Sequence, residues 1–404
     1  WGELGNQNTS NLYPFYEILP VKSNSGNWLV NGGKTNTADI PSLVSTLLTW
    51  ERVRSFNVGF DFGAFSNRLT GSFDYFVRKT VDMVGPAPQL PLVLGIAPAI
   101  VNNADMKSYG FEIELSWRDR IGEVDYGVKF NLADAQQKVV KYPNTTNAFN
   151  DWYAGKMSGE IWGYTSLGIA KTDEEMKEHL ASLPNGGQNQ LGNKWGAGDI
   201  MYADINGDGK VDGGKGTLAD PGDQRIIGNS TPRYNFGLVL DASYKGFDVS
   251  IFFQGVGKRD YAPIVGTNGA VFWGAVNNIW QSMAMEEHFD YFRPEGHPMG
   301  ANLNGYYPRP DFTSNKNHQV QTRYLQDASY IRLKNLQIGY TLPKQWINKL
   351  HINRCRVYVS GDNLWTGTSL ASMFDPETLA AGDWGSGKTY PLSKVISFGL
   401  NVNF

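Results

Sequence analysis

The sequence predicts an all-β fold, a transmembrane antiparallel β-barrel with long extracellular loops. Three observations carry this. Apolar and polar residues alternate with period 2 along many segments. Short connections alternate strictly with long ones. The alternating segments have the length of a tilted membrane-crossing strand, with aromatic residues near their ends.

Taken in order, the first strong segment is 56–64, where Phe56, Val58, Phe60, Phe62 and Ala64 stand against Asn57, Gly59, Asp61 and Gly63. Beyond Ser66-Asn67, Leu69, Gly71, Phe73, Tyr75 and Val77 alternate with Arg68, Thr70, Ser72 and Asp74. Phe111, Ile113, Leu115 and Trp117 then alternate with Glu112, Glu114, Ser116 and Arg118, and Val124 to Leu132 with Asp125 to Asn131. Tyr234 to Tyr244 and Phe247 to Phe253 flank Lys245-Gly246. Residues 329–342 and 354–362 make another pair, and the chain closes on Ile396, Phe398, Leu400, Val402 and Phe404. A strand within residues 1–10 brings the total to about ten. Segment 329–342 switches parity between Ile331/Leu333 and Leu336/Ile338/Tyr340, which predicts a bulge near Lys334-Asn335.

Alternation alone fits a sandwich as well as a barrel. The connections separate them. Short turns fall at 66–67, 119–123, 245–246 and, longer but compact, 343–353. Long segments fall at 78–109, 133–231, 255–327 and 363–391. Outer-membrane barrels have this asymmetry, with short periplasmic turns and long outside loops. Tyr234 to Tyr244, at ~3.3 Å per residue and ~45° tilt, spans about 25 Å of depth. The apolar set then faces lipid. The polar set, with Asp61, Asp74, Glu112, Glu114, Lys129, Asp241 and Asp248, lines a wet lumen.

Composition excludes several classes. The 404 residues carry a net charge of −3, which gives no reason to expect nucleic acid. Cys355 is the single cysteine, so no internal disulfide forms. No apolar run reaches the ~18 residues of a membrane helix, and Pro91 and Pro98 interrupt the nearest, 90–101. The opening WGELGNQN has neither a basic start nor an apolar core and reads as the middle of a longer chain.

Several motifs, in order along the whole chain, resemble one family: WGELGNQN (1–8), LTWERVRSFNVGFDF (48–62), RLTGSFDYFVRKTVDM (68–83), NNADMKSYGFEIELSWRD (102–119), residues 204–212, IIGNSTPRYNFG (226–237), YIRLKNLQIGYTLP (330–343) and VYVSGDNLW (357–365). The family is the SusC/RagA-type TonB-linked outer-membrane transporters of Bacteroidetes. The resemblance implies the C-terminal ten or so strands of a 22-stranded plugged barrel, with the plug, the TonB-contacting segment and the first strands outside residues 1–404. It implies residence in the cell outer membrane and a SusD-like surface lipoprotein as partner. It also implies TonB-energised import of oligosaccharides or peptides. A passive porin, a surface adhesin and an outer-membrane protease are the alternatives. A protease needs carboxylates beside a His, and the one local cluster is His288 with Glu286, Glu287 and Asp290.

One stretch has metal chemistry. DINGDGKVD places Asp204, Asn206 and Asp208 at positions 1, 3 and 5, Gly209 at 6, the Lys210 carbonyl at 7 and Asp212 at 9. Hard oxygens at alternate positions around a tight turn suit calcium in a structural role, with Asp220 or Asp223 completing the shell. Position 12 is Lys215 rather than Glu, and a metal-free Asx turn uses the same residues. The five His have no metal-ligand spacing. A capping box at Thr172/Glu175 predicts a helix over 172–183. Among the loop aromatics, Trp152, Tyr153, Trp273 and Trp280 are the candidates for stacking on cargo.

Overall fold

A computed structural model describes residues 1–6, 13, 15–41, 43–85, 93, 96, 98–263, 271–274, 284–311, 315–348, 351–379 and 389–404. Strand makes up 49% of the described residues and helix 6%. Ten strands form one sheet: β1 (Gly2–Asn6), β2 (Glu51–Ala64), β3 (Leu69–Gly85), β4 (Val101–Ile121), β5 (Val124–Lys141), β6 (Arg233–Tyr244), β7 (Phe247–Lys258), β8 (Tyr330–Thr341), β9 (Arg354–Thr368) and β10 (Val395–Asn403). Their hydrogen-bonded order is their chain order, as up-and-down connections require. Among the described residues every other sheet has two strands.

The chain divides into two compact units. The first holds residues 1–58, 75–109 and 136–157. In it β1 pairs antiparallel with the start of β2, from Gly2 opposite Ser55 to Asn6 opposite Glu51. Glu51 is buried there, and its carboxylate accepts from the Asn6 side chain and the Val84 amide. The segment between β1 and β2 folds back on itself, pairing Val21–Lys22 with Thr37–Ala38 and Leu29–Val30 with Gly33–Lys34.

The second unit, residues 59–74, 110–135 and 158–404, contains β6 to β10 and the long loops. Here the two faces of the sheet differ as the alternation predicts. Val249, Ile338 and Val359 lie side by side on three strands, and Ile338 keeps 47% of its surface exposed. On β10 Phe398 is 85% exposed. A sandwich would bury this stripe, so the sandwich reading fails. The opposite face carries polar side chains that bond across strands. Arg356 on β9 reaches Asp248 on β7 and, at 3.0 Å, Gln337 on β8 between them. It does so by passing over Gly339, where a Cβ would lie 2.6 Å from the guanidinium carbon.

The predicted bulge is present. Against β7 the register shifts between Phe252 and Phe253, leaving Lys334 as the extra residue, and against β9 it shifts between Leu333 and Asn335, where Asn363 and Leu364 stand opposite Lys334. At the short turn Lys245-Gly246 both residues have positive φ, 46° and 89°, matching the twist of a two-residue hairpin. The turn after β2 also uses positive φ at Phe65, Ser66 and Asn67.

Strand extents differ from the sequence reading. β3, β4 and β5 run to 17, 21 and 18 residues, well past 69–77, 111–117 and 124–132. Alternation is imposed only where one face meets hydrocarbon. Beyond that band both faces are wet, and a strand continues without the pattern. The outer connections therefore shrink, to 86–100, 142–232, 259–329 and 369–394.

Within the second unit, described residues of the connections after residue 158 pack into a body of their own. Its core joins Tyr164, Ile200, Tyr202 and Val211 to Phe272, Trp273, Tyr307, Tyr324, Phe374 and Leu379. A helix, α1 (Asp173–Ala181), buries Met176. Thr172 caps α1 by accepting from the Glu175 amide at 3.1 Å, as the capping box predicts.

Candidate functional site: the 204–212 turn and the loop body

Residues 204–212 leave the short strand Ile200–Tyr202 and turn tightly at Gly207 and Gly209, with φ of 75° and 81°. The Asp204 carboxylate accepts the Gly207 and Gly209 amides at 2.7 and 2.8 Å. Asn206 accepts the Asp208 amide at 3.0 Å, and Asp208 accepts the Lys210 amide at 3.2 Å. Asp223 is fully buried and braces the turn from the side, accepting from Ile205 and Asn206 and, at 2.8 Å, from Asp212. Burial pushes the Asp223 carboxyl up, against the lowering effect of those three amides.

The donor chemistry suits a hard cation, but the side chains do not form a cage. Among the described residues no three His, Cys, Asp or Glu side chains converge. The turn meets its own charge instead. The Lys210 ammonium lies 2.5 Å from Asp212 and 3.9 Å from Asp208. This contact holds the Asp212 carboxyl below its ordinary range and raises Lys210. Asn185 ties the turn down by donating to the Asp208 carbonyl.

The described cargo-stacking candidates fall in different units. Trp152 (39% exposed) and Tyr153 (buried) belong to the first unit, where the Lys156 ammonium stands over both rings at 5.8 and 5.3 Å. Trp273 belongs to the second unit and is 1% exposed. It packs edge-on to Phe272, Tyr307 and Tyr324 and lies 4.5 Å from the His318 ring, as core of the loop body rather than contact surface. Trp280 lies outside the described residues.

Two constellations escape sequence reasoning. Asp199, fully buried, accepts from Arg309 through both oxygens, from Lys316 at 3.0 Å, from Asn317 at 2.9 Å and from the Gly196 amide. Its side-chain partners are more than a hundred positions away, so no local signal marks them. The second is the outer end of β8. There Arg332, 3% exposed, bonds Thr366, Glu377 and Asp375, and Lys334 bonds Glu377. Its one visible sign in the sequence is the parity switch at Lys334.

His288 is buried and structural. Its Nδ1 accepts the Met285 amide at 3.0 Å, which leaves Nε2 to carry the proton and donate to the Phe272 carbonyl at 3.1 Å. Both nitrogens are thus engaged, and Glu287 accepts from the Ser372 hydroxyl.

A ten-stranded antiparallel sheet whose C-terminal strands are apolar and exposed on one face and polar on the other has the makings of an outer-membrane-type barrel wall. The chain belongs to the TonB dependent receptor-like, beta-barrel family, whose model matches residues 4–364. Members of this family are outer-membrane transporters. TonB-dependent receptor P3 of Formosa agariphila is 28% identical over all of this chain and 39% of its own length. TonB-dependent receptor SusC of Bacteroides thetaiotaomicron is 20% identical over all of this chain and 37% of its own length. The solved RagAB peptide transporter matches in fold with a TM-score of 0.70 and 23% identity, over all of this chain and 40% of the solved one. The chain thus spans about two fifths of the length of the relatives it matches.

Proposed function

We propose that this chain forms the C-terminal part of an outer-membrane importer for oligosaccharides or peptides. Cargo is captured together with a SusD-like surface lipoprotein, and TonB, acting through an N-terminal region outside residues 1–404, supplies the energy. The observation that carries this reading is the pair of unlike faces on β7, β8 and β9: an exposed apolar stripe through Ile338 and a polar face held by Arg356 and Asp248. One face suits lipid and the other suits a hydrated path. One solved relative is named a peptide transporter, which supports the peptide arm. In this reading the protein is not an enzyme, and His288 serves packing.

Calcium is part of the proposal as a structural ion at Asp204, Asn206, Asp208, Asp212 and the Lys210 carbonyl. Binding requires the Lys210 ammonium to leave Asp212, so the metal replaces an internal counter-ion.

The test uses the full-length transporter in a strain lacking its own copy. Growth on oligosaccharide or peptide that is lost when TonB is removed supports import. Ion conductance in planar bilayers without TonB or lipoprotein identifies a passive porin instead.

A further inference from the structure

The outer end of the polar face is covered by the chain itself. Strand register fixes which side chains share that face, because directly opposed residues point the same way. Asp248 and Gln337 are on it, since Arg356 bonds both. Counting outward along β7, so are Ser250, Phe252 and Gln254. Gln254 lies opposite Arg332, and Arg332 opposite Thr366, so the bulge at Lys334 keeps Arg332 on the polar side. Without that extra residue Arg332 would point into the apolar stripe.

Burial changes along this face. Ser250, Gln337 and Ser360 are half-buried. Val256, Tyr330 and Arg332 are buried, at 8%, 7% and 3% exposure. The cover is the turn at 370–379, whose Leu370, Phe374 and Leu379 belong to the loop-body core. Arg332 donates to Glu377 at 2.8 Å and to Asp375 at 2.9 Å, Lys334 donates to Glu377 at 2.7 Å, and Arg259 donates to the Pro376 carbonyl at 3.3 Å. Asp375 also accepts the Glu377 and Leu392 amides. Two cations on the wall thus meet two carboxylates on the loop, largely out of water, where such pairs are geometrically specific.

We propose that Arg332 and Lys334 are a charge clamp that folds the 370–379 turn inward over the outer mouth, and that this turn sets the largest cargo the wall admits. The bulge exists to aim the clamp. Its role in cargo selection rests on the import reading; the clamp itself rests on the contacts.

The experiment uses the full-length protein on intact cells, with Cys355→Ser and a reporter Ser250→Cys below the turn. A small maleimide and a bulky polyethylene-glycol maleimide are applied from outside, and import of a length series of oligosaccharides and peptides is followed in parallel. The intact clamp admits the small reagent and excludes the bulky one. Asp375→Asn with Glu377→Gln raises bulky labelling by about tenfold or more, a shift on the scale of a released two-state element. Lys334→Met, which leaves Arg332 in place, gives a smaller rise and serves if the double variant does not assemble. Bulky reagent excluded equally from every variant overturns the clamp. Bulky labelling that rises while the longest imported cargo stays the same overturns the size limit. Bulky labelling that rises while no variant, nor the parent, imports anything leaves the clamp standing and removes the import reading.

Discussion

Arg356 reaches Asp248 across the full width of an intervening strand, and Gly339 is the gap it passes through. The pair orders three strands on one face and shows why a strand-weakening glycine sits in mid-sheet. Gly339→Val should push the guanidinium away from Asp248 and weaken the fold by about 1 kcal/mol, because the pair is partly hydrated. Arg356→Gln in the Gly339→Val background should then add little further loss. Heat-induced mobility shift on gels reads both; equal and additive losses would show that the pair does not depend on the gap.

The turn at 204–212 should bind calcium against its own lysine. Lys210→Met removes the internal counter-ion, so calcium affinity in that variant should exceed the parent's several-fold, whereas Asp204→Ala should abolish binding. Calorimetric titration of the purified protein checks this. Unchanged protease sensitivity of the turn after chelation in both parent and Lys210→Met would leave it a metal-free Asx turn.

His318 should make the loop body acid-sensitive. It is fully buried, neither ring nitrogen has a hydrogen-bond partner, and burial pushes its pKa down to about 4 despite the nearby Asp311. The folded value lies below the unfolded 6.5, so the unfolded chain takes up the proton first. Stability is therefore unaffected above pH ~6.5 and falls as pH drops from there toward ~4, by about 3 kcal/mol at most. His318→Phe keeps a ring against Trp273, removes both orphan nitrogens, and should raise stability at pH 7 by about 1–2 kcal/mol while flattening the acid limb. Thermal melts at several pH values decide; a parent curve as flat as the variant's would contradict it.

The strands were legible because lipid and water impose a period of two. Ile338 and Gln337 sit on opposite faces because one is apolar and the other is not. The bulge at Lys334 was legible for the same reason, since it breaks the period. The outer halves of β3, β4 and β5 were not, because water on both faces selects no pattern. The loop body was hidden for a different reason. Tyr202, Trp273 and Phe374 come from separate connections, and an aromatic in a loop looks the same whether it faces cargo or core. Phe272-Trp273 and Tyr306-Tyr307 are adjacent aromatic pairs, and such pairs in long loops are the signal that could have pointed to a core. Asp199, Arg309 and Lys316 left no trace, since charged residues in loops are ordinarily solvated.

The most direct measurement of the central idea compares arginine at two neighbouring positions, Ile338 and Ser360, during assembly of the full-length protein into bilayers. Ile338→Arg should cost about 1 kcal/mol of folding free energy or more, because it places charge on the lipid face just inside the aromatic level of Tyr340 and Phe247. Ser360→Arg should cost close to nothing, because it extends into the wet interior. Equal tolerance at the two positions, or a greater cost at Ser360, would contradict the assignment of faces.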